Sequence, residues 1–143
     1  MRLWKTMAVA LAFAPVMAFA QYKDPDVALA NLARGFGSGD TQSIVSGIAA
    51  GDQVMLQFPG LVDGGGFYGR DQAAYLLESL FSKVKPSGFQ QTNVRKNSAE
   101  GQYHIVASWT IQAGGKAEAR ELYITLANKH DRWSLVSARS GSK

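Results

Sequence analysis

The spacing of apolar residues changes period once along the chain. Up to about residue 85 most apolar positions recur every three or four residues, and from Phe89 onward they alternate. The first half therefore predicts helices and the second half strands. Asp24-Pro25-Asp26 supplies a capping carboxylate, a proline for the first turn and an acid near the positive end of a helix dipole, and Leu29, Leu32 and Phe36 follow at helical spacing. The glycines of GFGSGD (35–40) break that helix, and Ser38 or Asp40 starts a second short one carrying Ile44, Val45 and Ile48, ended by Gly51-Asp52. VMLQF (54–58) reads as a strand stopped by Pro59-Gly60. The run at 71–85, DQAAYLLESLFSKVK, places Ala73, Leu77, Leu80, Phe81 and Val84 on one face and Gln72, Ser79, Ser82 and Lys83 on the other, which makes it an amphipathic helix. Lys85-Pro86-Ser87-Gly88 is expected to close it.

Four alternating runs follow, 89–97, 102–112, 117–128 and 133–139, joined by the turns SAEG, AGGK and KHDR. Such short connections make successive strands antiparallel neighbours. Helices first and a meander afterwards give an α+β fold in which the helices cover one face of a bent sheet. Tyr103, Ile105, Ala107, Trp109 and Ile111 share the covered face with Leu122, Ile124 and Leu126. The opposite face is mixed: it carries Gln102, His104, Ser108 and Thr110 but also Val106, Tyr123 and one of Trp133 or Val136. Those apolar residues make a homodimer contact as reasonable an expectation as a plain solvated face.

Residues 1–20, MRLWKTMAVALAFAPVMAFA, have a basic start, an apolar run from Met7 to Phe13 and the small-x-small ending Ala18-Phe19-Ala20. That is the pattern of a secretory signal peptide cut before Gln21, and it predicts a periplasmic or secreted protein with one domain over 21–143. The apolar run is shorter than the about 20 residues that a membrane span requires, so no span is expected. Loss of Arg2 and Lys5 leaves 13 basic against 11 acidic residues, and the formal charge falls from +4 to +2. With no basic run, that charge is too small for a nucleic-acid surface. The chain has no Cys, which excludes disulfides, thiol nucleophiles and thiolate metal sites.

The order of elements, together with GD (39–40), FYGRDQAAYLLESLF (67–81), PSGF (86–89), YHIVASW (103–109) and WSLVSAR (133–139), resembles the nuclear-transport-factor-2-like superfamily, and within it a bacterial branch classed as a domain of unknown function. The likeness spans about residues 26 to 140. It implies a cone-like fold, a curved antiparallel sheet wrapped around a long helix with two short helices before it, and a pocket between helix and sheet. The superfamily holds isomerases, dehydratases, hydrolases, ligand binders and interaction modules, so the resemblance implies a fold and leaves the activity to be read from the site.

No catalytic set emerges from the residues. Most acids stand at helix starts, turns or loop ends; Glu121 and His104 are out of phase with the apolar face, and His130 lies in a turn. An acid–base isomerase or dehydratase would need Asp63 or Glu118 to fold inward, where an apolar setting raises a carboxyl pKa. Two histidines 26 positions apart, without Cys, make no metal site, and no cofactor is implied. GGGFYGRD (64–71) has the glycine spacing of a phosphate-binding loop, but Arg70 and Asp71 replace the Lys and hydroxyl such a loop needs, so it reads as a turn in which Phe67 and Tyr68 anchor the chain to the core.

The residues best suited to line a pocket are Phe58, Tyr75, Tyr103, Trp109 and Trp133, large apolar walls with polar edges. Arg120, the one charge in phase with the apolar side of its strand, could meet an anionic group at the mouth. The expectation is an exported module that binds a small apolar or anionic ligand without catalysis. A homodimeric or partner-binding module is the alternative, and an acid–base enzyme the third reading.

Overall fold

The computed structural model describes residues 22–141; the signal peptide read at 1–20 lies outside them. Helix α1 (Pro25–Ser38) starts on Asp24, whose side chain accepts from the Asp26 N–H, and ends on Gly39 in the left-handed conformation. Helix α2 (Thr41–Val45) starts on Asp40, which accepts from the amides of Gln42 and Ser43. Strand β1 (Val54–Gln57) and the short β2 (Gly66–Tyr68) precede helix α3 (Arg70–Lys83). Strands β3 (Val84–Asn97), β4 (Gln102–Ala113), β5 (Lys116–Lys129) and β6 (Arg132–Ser140) complete the chain. The first helix is not short: α1 and α3 have 14 residues each.

One six-stranded sheet has the order β2-β1-β6-β5-β4-β3. The meander β3 to β6 is antiparallel throughout, and β1 adds to it alongside β6 as a parallel partner, Met55 opposite Ser137 and Gln57 opposite Arg139. A parallel pair needs a long crossover, and α3 with strands β2 to β5 supplies it. The architecture is α+β, as the periodicity implied.

Two differences from the sequence reading have local causes. Strand β3 begins at Val84, directly after α3, and runs through Pro86-Ser87-Gly88 with a register shift between Pro86 and Gly88. A proline is tolerated there because β3 is an edge strand, where a missing N–H leaves no partner unsatisfied. The glycine stretch contributes strand β2, paired with β1 through Phe67 opposite Met55.

Two further bulges decide which side chains face inward. In β3 the register steps from Gln91 opposite Ala107 to Asn93 opposite Val106, which makes Thr92 the extra residue. In β6 it steps from Leu135 opposite Leu126 to Ser137 opposite Thr125, which makes Val136 the extra residue. A single extra residue reverses the alternation beyond it. Hence Val94 and Ala138 face the core while Arg95, Ser137 and Arg139 face outward. The same bulge settles Trp133, which is buried against Tyr103 with ring centroids 4.6 Å apart, whereas Val136 stays half-buried.

The core lies between the sheet and helices α1 and α3. Leu32 and Phe36 of α1, Leu77 and Leu80 of α3, and Ile105, Trp109, Ile111, Leu122 and Leu126 of the sheet are all fully buried. Gly35 permits α1 to meet α2: a Cβ there would stand 2.4 Å from the Ile44 Cγ1.

Candidate binding groove between β2 and α3

The space between the helices and the sheet is filled by aromatic rings. Phe36, Phe58 and Trp109 form a closed triangle with centroid separations of 5.8, 6.1 and 6.3 Å, Phe36 meeting Trp109 edge-on. The Trp109 indole N–H donates to the Phe36 carbonyl at 2.8 Å, so its polar edge is satisfied inside the core. The buried polar residues among those described are Ser43, Ser134 and Ser140; no carboxylate or imidazole is buried with them.

Arg120 is in phase with the core, opposite Trp109, and its side chain is only 8% exposed. Its guanidinium is engaged: Nε donates to Glu118 Oε2 at 2.6 Å, and Nη1 donates to the Pro59 carbonyl at 2.7 Å and to the Gly141 carbonyl at 3.4 Å. This fork ties the chain after β1 and the end of β6 to β5. Glu118, one of the two acids that an isomerase would have needed inside, is the counter-ion of this staple.

Open space lies outside the core. A groove of about 640 Å³ runs between α3 and the segment from Val62 through β2, lined by Val62, Asp63, Phe67, Tyr68, Asp71, Gln72, Tyr75, Leu76 and Ser79. The glycine-rich stretch builds one wall. Gly64 and Gly66 have φ of +92° and +154°, which glycine adopts without strain, and they deliver the chain into β2. Alternation in that strand turns Tyr68 toward the core and Phe67 away, so Phe67 does not anchor the turn but stands 68% exposed. On the opposite wall the Gln72 side chain accepts from the Gly69 N–H at 3.2 Å at the start of α3, and Tyr75 projects 78% exposed. Asp63 and Asp71, both exposed, add two carboxylates.

The six residues expected to line a pocket thus lie in separate places. Phe58 and Trp109 pack together in the core, Tyr103 and Trp133 pair elsewhere on the sheet, Arg120 is the staple, and Tyr75 is the one of the six that lines this groove. Val62, Phe67, Tyr68 and Asp71 were not expected in this role. For Phe67 and Tyr68 the signal was present in GGGFYGRD: two adjacent aromatics after a glycine turn cannot both face inward if the segment is extended. Among the described residues, no group of three or more His, Asp or Glu side chains could hold a metal ion, and no helix is long and apolar enough to cross a membrane.

No curated protein matches the chain. Solved structures do. A protein of the DUF4783 family from Bacteroides fragilis superposes with a TM-score of 0.64 at 17% identity, over 79% of this chain and 96% of its own. One from Bacteroides uniformis gives 0.65 at 13% identity, over 80% and 95%. A protein from Catenulispora acidiphila with a ketosteroid-isomerase-like fold, solved in complex with trimethylamine, gives 0.62 at 12% identity, over 81% and 85%. These likenesses establish the fold, in keeping with the nuclear-transport-factor-2-like resemblance. The family model for a domain of unknown function, DUF4783, matches residues 29–139, and the chain belongs to that family.

Proposed function

We propose that this domain is an exported, non-catalytic binding module, and that the groove between β2 and α3 takes a small, partly apolar ligand with a cationic head group. The observation that carries this reading is the pair of exposed aromatics, Phe67 and Tyr75, on the two walls of one groove of about 640 Å³. Exposed rings cost solvation unless something covers them, and a groove of this volume is within the range of small-molecule sites. Ring faces attract cations, and Asp63 and Asp71 set the same sign of charge preference. The trimethylamine held by the Catenulispora acidiphila protein is a small amine of that class, on a related fold. The filled interior, with three serines as its buried polar residues, supports binding over acid–base chemistry.

The test uses benzyltrimethylammonium chloride as probe, with sodium benzoate and potassium chloride as ionic-strength controls. A ligand that binds only the folded state raises its melting temperature. The wild-type domain should be stabilised by the quaternary ammonium and not by the controls, and Phe67→Ala with Tyr75→Ala should lose the effect. An equal rise in the variants, or none in the wild type, would contradict the reading.

A further inference from the structure

The outer face of the sheet carries a basin apart from the groove. Two cross-strand rows lie side by side there. Arg95, His104, Thr125 and Ser137 are mutual partners across β3, β4, β5 and β6, and Asn93, Val106, Tyr123 and Arg139 form the next row. Together they line a basin of about 300 Å³. The bulges at Thr92 and Val136 create it. Without them the alternation would turn Arg95 and Arg139 toward the core, so both edges of the basin depend on an inserted residue that reverses the pleat.

We propose that this basin binds a compact oxyanion, a small molecule bearing carboxylate or phosphate oxygens. Arg95 and Arg139 are exposed, stand at opposite corners, and have no carboxylate partner among the described residues. The Arg139 guanidinium lies 4.7 Å from the Tyr123 ring centroid, which holds it down on the basin wall. The His104 Nδ1 is 3.2 Å from the Thr125 hydroxyl, so with that hydroxyl donating, Nε2–H is the ring's free edge and a further donor. Ser137 and Asn93 complete a lining rich in donors, and the guanidinium fork is the side chain best shaped for paired oxygens. The opposing group is Glu121, one row away on β5, whose carboxylate accepts from the Tyr123 hydroxyl.

The experiment is a titration of the whole domain with inorganic phosphate and, separately, citrate at constant ionic strength, followed by amide and imidazole NMR. Saturable shifts at His104, Thr125 and Ser137, with Phe67 and Tyr75 stationary, are expected. Arg95→Gln and Arg139→Gln should each weaken binding about tenfold or more, the loss of a hydrogen bond to a charged group, without changing the melting temperature of the free protein. Glu121→Gln should tighten it. Shifts that grow linearly without saturation, or that persist in the double arginine variant, would overturn the proposal. So would sedimentation showing that the basin is closed by a second copy at the concentrations used. Since the groove probe reads Phe67 and Tyr75, failure here leaves that result untouched, and the reverse holds.

Discussion

Replacing Arg120 with Met removes the guanidinium and keeps most of the apolar stem. Three hydrogen bonds go with it: to Glu118, to the Pro59 carbonyl and, longer at 3.4 Å, to the Gly141 carbonyl. A hydrogen bond involving a charged group contributes about 1.5–3 kcal/mol, and a buried acceptor left without a donor costs a similar amount. The Glu118 side chain is 25% exposed and can regain water, and the Gly141 contact is weak, so the full sum overstates the loss. A net cost of about 2–4 kcal/mol is expected, a large part of the about 5–15 kcal/mol that stabilises a typical domain. With a urea m-value of about 1–3 kcal/mol/M, the midpoint should fall by about 1–2 M at unchanged m. Arg120→Lys keeps the charge but not the fork, and should recover only part of the loss. A cost below about 0.5 kcal/mol for the Met variant would refute the reasoning and mark Arg120 as a solvated rim residue, as an ordinary surface charge would be.

Three further outcomes follow from particular contacts. Gly35→Ala should destabilise by about 1–2 kcal/mol in urea melts, because the 2.4 Å approach to buried Ile44 outweighs the helix propensity gained. Asp40→Ala should cost about 1 kcal/mol, with Asp40→Asn recovering most of it, since the side chain caps α2 and accepts from the Ser43 hydroxyl at 2.8 Å. The Tyr123 hydroxyl, which donates to Glu121, should ionise above its ordinary pKa of 10.0, with that hydrogen bond as the main cause. A raised phenol pKa means that the folded state holds its proton longer, so the stabilising contribution is present below about pH 10 and lost as pH rises past it. Absorbance titration near 295 nm should show the pKa return toward normal in Glu121→Gln; no change would contradict the contact.

The fold was legible because its signals are periodic. Leu29, Leu32 and Phe36 at helical spacing, the alternation of Ile105, Ala107, Trp109 and Ile111, and the capping acids Asp24 and Asp40 each specify local structure that the tertiary fold then keeps. Single inserted residues were not legible. Nothing in TNVRK or LVSAR marks Thr92 or Val136 as a bulge, yet each reverses the facing of every residue after it. The groove was missed for a related reason. Phe58 and Trp109 are aromatic and in phase with the core, which suits a pocket wall and a packed core equally well, and only packing density separates the two. Tyr75 stands on the polar face of α3 with Gln72, Ser79 and Ser82, so its exposure follows from the helical spacing itself.

The central claim, a filled interior with binding at an outer groove, is tested most directly by one NMR titration. The Trp109 indole N–H, bonded to the Phe36 carbonyl, reports on the interior, and the Tyr75 ring reports on the groove. With benzyltrimethylammonium added, the Tyr75 resonances should move saturably while the Trp109 indole proton stays in place and protected from exchange. Movement or loss of the Trp109 signal in step with binding, with Tyr75 unmoved, would place the ligand inside the fold and contradict the account.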